Sequence, residues 1–185
     1  MSSIDMDIVD YKRDIPKMIR EYSISVLDIE NPCNMTQLQF NSGLMYIYNR
    51  YIQYNLDVYI DDKRGIYNDQ VLMDIYNIYV LVCSMFDKHM CINGYSYISG
   101  ISKSSIYEWG SSKKASRTCR ELYKNLINDS EESLQDLLVT GRRNPVGIVA
   151  ILNNRHGWAS QTIRNETTVR VESNDDIAGL LGVND

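Results

Sequence analysis

The sequence predicts a mainly α-helical protein with one short strand near its carboxyl end. Proline and glycine are scarce, at 3 and 10 of the 185 residues, which favours helices over a loop-rich β-sandwich. Apolar residues recur at intervals of three and four along much of the chain. Hydrophobic residues make up 44% of the sequence, a composition typical of a folded globular chain.

The first half of the chain is predicted to consist of two segments. Residues 1–35 are acidic, and the spacing of Ile15, Ile19 and Tyr22 predicts one short helix within them. Residues 36–90 form a predicted hairpin of two amphipathic helices. The tyrosine and methionine side chains of this hairpin are expected to fill the core or to contact another subunit.

Both helices of the predicted hairpin have a recognisable start. Thr36 and Gln39 have the spacing of a capping box, and Asn68 or Asp69 can cap the second helix. The polar run 61–65 separates the two helices. The apolar positions predicted for the first helix are Leu44, Met45, Tyr48, Tyr51 and Ile52. Those of the second helix are Val71, Ile75, Ile78, Tyr79, Val82 and Phe86.

Residues 91–128 form a predicted helix-turn-helix, after a break in the helical pattern at 93–94. Gly100 suits the turn, where a side chain would be strained. Ile101 can fill the space between the two helices, and Ser102 can cap the second. This is the most specific stretch of the sequence, and it predicts a DNA-binding region. The alternative interpretation is two packed helices joined by a glycine turn, with no role in DNA binding.

The second helix of this motif is predicted to run to about Trp109. Ile106 and Trp109 lie three residues apart and are expected to bury its inner side. The residues left facing outward near its start are Lys103, Ser104, Tyr107 and Glu108. From such positions a helix-turn-helix reaches base edges and phosphates.

A basic stripe follows the motif. Residues 88–170 contain 12 basic and 7 acidic residues, a net charge of +5 in a chain whose formal net charge is -5. The cations expected to follow a phosphate backbone are Lys113, Lys114, Arg117, Arg120 and Lys124. The alternative interpretation is a solvated face of mixed charge.

The last two predicted segments are a helical oligomerisation region, 129–158, and a tail, 159–185. In the first, Asp129 or Ser130 can cap the helical pattern anew, and a further helix starts at Pro145. The predicted buried side of that helix consists of Val146, Val149, Ala150 and Leu152. In the tail, 167–172 alternates like a strand that needs a neighbour to pair with, and acidic residues follow it.

A resemblance to a known family rests on the order of these features. The helix-turn-helix ends in a tryptophan and is followed by a helical spacer. Next comes the pattern formed by Gly141, Asn144, Gly147, Leu152, Asn154, Gly157 and Trp158. Over about residues 70–172 the chain resembles the small terminase subunit of tailed bacteriophages.

The resemblance implies a viral DNA-packaging factor. Members of this family bind the packaging start site in double-stranded viral DNA and assemble into rings. They deliver the DNA to the large terminase subunit, which carries the ATPase and the nuclease. By this resemblance Lys103, Ser104 and Tyr107 face DNA, and helices before residue 90 or after 120 build the ring. The carboxyl-terminal strand and acidic tail meet another subunit or the large subunit.

The residues themselves predict neither catalysis nor a cofactor. The sequence has no Gly-x-x-x-x-Gly-Lys-Ser/Thr loop, so no ATPase is predicted. Cys83, His89 and Cys91 fit no common closed zinc site, so no metal is expected. The acidic start is no secretory signal, and no apolar run is long enough to span a bilayer. With four widely spaced cysteines, the expectation is a reduced cytoplasmic protein, which the resemblance would place in the bacterial host.

Two other functions stay open at the level of sequence. One is a transcription regulator that uses the same helix-turn-helix and presents two half-sites as a dimer. The other is a structural or adaptor protein that binds no DNA, consistent with the isoelectric point of about 5.1.

Overall fold

The computed structural model describes residues 8–141 and 144–158. It is mainly helical with a small antiparallel sheet, which confirms the predicted fold class. The α-helices in chain order are α1 (Ile8–Ser25), α2 (Gln37–Ile47), α3 (Gln53–Asn55), α4 (Asp69–Met85), α5 (Ile92–Ser99), α6 (Lys103–Ser111), α7 (Arg117–Val139) and α8 (Pro145–His156). The predicted strand at 167–172 and the rest of the tail lie outside the described residues.

Helix α1 is longer than the short helix predicted for this segment. Its 18 residues include Ile15 and Ile19, which are completely buried, and Tyr22, which is nearly so. The spacing of these three side chains at intervals of four and three places them on one face. The acidic amino-terminal segment therefore contributes directly to the core.

Helix α2 starts as the sequence predicts. The Thr36 hydroxyl accepts a hydrogen bond from the backbone N–H of Gln39, and the Gln39 side chain accepts one from the backbone N–H of Thr36. Leu44 is buried, but the predicted core residue Met45 is exposed. The reason is geometric, because one residue along a helix turns the side chain by about 100° away from its predecessor. A π-helical turn, Tyr48–Ile52, joins α2 to α3.

The predicted helical hairpin needs correction. Helices α2 and α4 each pack on α1 and on α5 rather than forming a simple two-helix unit. The predicted polar break between them is a small β-hairpin. Strand β1 (Tyr59–Asp61) pairs antiparallel with strand β2 (Ile66–Tyr67). A single 3-10 turn connects these strands, and it ends at Gly65, which is left-handed at φ 63°.

One apolar core runs through the predicted segments 1–35, 36–90 and 91–128. It extends from Ile15 in α1 to Leu126 in α7. The largest completely buried side chains include Phe40, Leu72, Ile75, Ile78, Tyr79, Tyr95 and Ile98. Because they share this core, these segments fold as a unit around α4 and α5.

Helix α7 runs unbroken through the position at which a second cap was predicted. Asp129 caps no new helix, because its carboxylate accepts a 2.6 Å hydrogen bond from the hydroxyl of Tyr76 in α4. Burial and this carboxylate raise the pKa of Tyr76, which keeps the phenol protonated as the donor. The carboxyl half of α7 therefore belongs to the same continuous helix as the basic stripe.

Helix α8 buries a different side from the one predicted. Ile148 and Leu152 are buried with Leu134 of α7 in a second, smaller apolar cluster. Among the predicted residues only Leu152 is buried, whereas Val146, Val149 and Ala150 are exposed. Ile148 and Leu152 lie four apart, so they form the face that meets α7.

Candidate nucleic-acid interface

Helices α5 and α6 form the helix-turn-helix unit. Helix α5 starts earlier than predicted, because residues 93–94 lie in its first turn rather than breaking the pattern. The Cys91 side chain caps α5. The backbone N–H of Cys91 donates a hydrogen bond to the Tyr79 hydroxyl, and this hydroxyl donates one to the Cys91 carbonyl. Gly94 is required here, since any side chain would collide with the ring of Tyr79. Helix α5 is thereby fixed on the core helix α4.

The turn between the two helices contains Gly100, Ile101 and Ser102. Gly100 has φ 71°, and a Cβ at this position would collide with the ring of Tyr48. Ile101 is completely buried, as predicted. The Ser102 hydroxyl accepts a 3.1 Å hydrogen bond from the backbone N–H of Ser105, which confirms Ser102 as the N-cap of α6.

Helix α6 has the inner and outer sides that the sequence predicts. Ile106 and Trp109 are buried against the core. The predicted outward residues Lys103, Ser104, Tyr107 and Glu108 are all exposed. The ammonium of Lys103 lies 5.9 Å from the centre of the Tyr107 ring, and that ring meets Tyr123 of α7 edge-on at 6.3 Å. Lys103 and Tyr107 therefore form one continuous surface with α7.

The five cations of the basic stripe are exposed, but two have partners within the chain. Arg117 donates a 2.7 Å hydrogen bond to Glu121, and Arg120 donates one of the same length to the carbonyl of Ala115. The Glu121 carboxylate raises the pKa of Arg117, so the guanidinium keeps its charge. Lys113 and Lys114 lie in the turn before α7, and Lys124 lies two turns along it.

The β-hairpin adds two cations that the sequence analysis did not single out. The ring of Tyr67 contacts Trp109 of α6 edge-on at 5.3 Å, which fixes the hairpin beside the second helix of the motif. Arg64 at its tip lines the same cleft of about 450 Å³ as Lys114. Lys63 is also exposed at this tip. The sequence did contain a signal for this hairpin, because β-forming residues lie on both sides of the Gly-containing polar run 61–65.

The motif behind the family resemblance forms the two ends of α8. The Asn144 side chain caps the helix, Pro145 occupies its first position, and Gly157 ends it with φ 71°. The indole N–H of Trp158 then donates a 2.7 Å hydrogen bond to Glu131 of α7. In this chain Asn144, Pro145 and Gly157 set the ends of α8, and Trp158 ties the helix to α7.

Two further observations concern metal binding and membrane-spanning helices. In the described part of the chain no group of three His, Cys, Asp or Glu side chains is arranged to hold a metal ion. No helix within the same residues is both long and apolar enough to cross a bilayer. Burial raises the pKa of the Cys83 and Cys119 thiols, so both stay protonated near neutral pH.

Comparison of the chain with protein-family models, with curated proteins and with solved structures found no match.

Proposed function

We propose that this chain is a small terminase subunit, a non-catalytic DNA-packaging factor of a tailed bacteriophage that acts in the bacterial host cytoplasm. The observation that carries the proposal is the geometry of α5 and α6. A left-handed glycine turn joins them, and the amino-terminal half of α6 exposes Lys103, Ser104 and Tyr107 to solvent. A helix presented in this way can enter the major groove of DNA.

The basic residues around α6 support contact with a duplex. Lys113 and Lys114 follow the end of α6, and Arg64 of the β-hairpin, which is paired with Asp61, lines the same cleft as Lys114. Cations clustered beside a groove-entering helix can bind phosphates that border the groove. In this proposal α6 reads bases while the flanking cations fix the orientation of the protein on DNA.

The exposed face of α8 supports assembly into a larger oligomer. Val146, Val149 and Ala150 are exposed and lie on one side of the helix, away from the buried Ile148 and Leu152. Apolar side chains on the outer side of a helix are typical of a surface that meets another subunit. A ring would place this face between neighbouring copies, and the tail after Trp158 would meet another subunit or the large terminase subunit.

A gel shift at fixed salt tests the DNA-binding part of the proposal. We expect the double substitution Lys103→Ala and Tyr107→Ala to weaken binding at least about tenfold, since it removes a cation and an aromatic contact from α6. The matched control is Lys17→Ala, which removes an exposed cation from α1. Binding equal to wild type in the double variant would show that α6 is not the DNA-reading helix.

Native mass spectrometry and a pull-down test the packaging part. A ring of more than about six subunits that captures a large terminase subunit is the expected result. A dimer that binds two half-sites would favour the transcription regulator instead. A protein that binds neither DNA nor a large subunit would favour the adaptor.

A further inference from the structure

A second cleft lies on the other side of α6, between α2, α7 and α8. It has a volume of about 540 Å³, which is within the range of small-molecule sites in proteins. Tyr107 and Tyr123 form its aromatic wall, and Arg155 and His156 line it from α8. None of the described residues that line it carries a carboxylate, although the chain as a whole is acidic.

His156 is a buried polar group of this cleft. Its side chain is 2% exposed, and its Nδ1 atom has no hydrogen-bond partner. The nearest carboxylate oxygen, on Glu131, is 3.6 Å away, which is too long for a hydrogen bond. The other oxygen of Glu131 accepts from Trp158. A buried imidazole nitrogen without a partner is costly in an isolated protein, and a polar ligand would compensate that cost.

The remaining polar groups define the chemistry of the ligand. Gln37 donates a 3.2 Å hydrogen bond to the amide oxygen of Asn41, and its own amide oxygen accepts one from the backbone N–H of His89. The remaining amide N–H groups of this pair and the amide of Asn93 can meet the edge of a nucleobase. Arg155 is exposed at the cleft and free to bind a phosphate by two parallel hydrogen bonds. The rings of Tyr107 and Tyr123 can stack on a planar base.

We propose that this cleft binds a nucleoside monophosphate, with the base against the two tyrosines and the phosphate at Arg155. The ligand is either a free nucleotide or the terminal nucleotide of a DNA strand, since the two share this chemistry. The site is separate from the duplex-binding surface of α6 and has only Tyr107 in common with it. Its occupation would connect α8 to the helix-turn-helix through a single ligand.

Calorimetric titration of the full-length protein with dAMP tests the proposal. We expect saturable binding of one dAMP per chain below about 1 mM. Deoxyadenosine and inorganic phosphate should each bind at least about tenfold more weakly, because each supplies one half of the recognition. No saturable binding up to about 5 mM dAMP would overturn the proposal.

Two matched substitutions locate the site. Arg155→Gln should weaken dAMP binding at least about tenfold, because it removes one charge-assisted contact to phosphate. Arg20→Gln makes the same change on an exposed arginine of α1 outside the cleft and should leave binding unchanged. Equal loss in both variants, or none in Arg155→Gln, would overturn the assignment. Circular dichroism of each variant verifies that the helices remain folded.

Two further measurements separate the sources of the nucleotide and the two functions. A 5′-phosphorylated hexanucleotide that binds at least about tenfold more tightly than dAMP identifies a DNA strand as the source, and equal affinity identifies the free nucleotide. Either affinity should fall in Arg155→Gln. Lys103→Ala should weaken duplex binding and leave dAMP binding intact, so failure of one proposal is distinguishable from failure of the other.

Discussion

The indole nitrogen of Trp158 lies 2.7 Å from Oε1 of Glu131, and this hydrogen bond ties the end of α8 to the middle of α7. The two residues are 27 positions apart in the sequence. Beyond this bond, Leu134, Ile148 and Leu152 form the small apolar cluster between the helices. Helix α8 therefore depends on a few contacts, each of which can be tested separately.

Removal of the indole donor should loosen α8 without unfolding the protein. Trp158→Phe keeps an aromatic ring but loses the N–H, so we expect the free energy that holds α8 on α7 to fall by about 1 kcal/mol. Faster hydrogen exchange of the α8 amides measures this effect. Glu132→Gln, at an exposed neighbour of Glu131, is the control and should leave exchange unchanged. Equal exchange in Trp158→Phe and wild type would contradict a structural role for the bond.

Two glycines with similar backbone angles should differ in their tolerance of alanine. Gly65 and Gly100 both have positive φ, at 63° and 71°, but only at Gly100 would a Cβ collide with a neighbour, the ring of Tyr48. We expect Gly65→Ala to cost about 1 kcal/mol of stability and Gly100→Ala to cost about 1–3 kcal/mol more. Urea denaturation measures both values.

The additional cost at Gly100 should depend on the tyrosine. In a Tyr48→Ala background, Gly100→Ala should cost no more than Gly65→Ala does, because the collision has been removed. If the cost is unchanged in that background, the strain originates elsewhere in the turn.

Truncation of the inner side of α6 should affect stability rather than recognition. Ile106 is completely buried, so Ile106→Ala should reduce the free energy of unfolding by about 2–5 kcal/mol. Ser104→Ala, at an exposed position of the same helix, should change it by less than about 0.5 kcal/mol. Similar losses in both variants, measured by urea denaturation, would mean that α6 does not pack as described.

Lys113 and Lys114 of the basic stripe should account for more of the salt dependence of DNA binding than Arg117, which is paired with Glu121. Replacing Lys113 and Lys114 by alanine should make the dependence of log affinity on log salt shallower by about 1.8, if each contacts one phosphate. Arg117→Ala should change this slope less, because the guanidinium is already bound to Glu121. The effect should be alike for specific and random DNA. An unchanged slope in the double-lysine variant would assign the stripe to a solvated face.

Local features of the chain could be read from the sequence because they depend on neighbouring residues. The capping box at Thr36, the cap at Ser102 and the left-handed position at Gly100 each follow from side-chain chemistry within a few positions. The burial of Ile106 and Trp109 follows from helical periodicity. The sequence by itself thus determined the mainly helical class, the helix-turn-helix and the residues exposed on α6.

Features that depend on distant partners were decided only by the tertiary structure. Asp129 can cap a helix by its chemistry, but a hydrogen bond to Tyr76 occupies it, so α7 continues. The exposed valines of α8 and the completely buried Leu152 have the same apolar character, and only the position of α7 selects which side is covered. The cleft that brings Tyr107 to Arg155 joins residues from separate helices, so no local pattern indicates it. Local chemistry sets the elements, whereas contacts between distant elements select the faces that become core, interface and site.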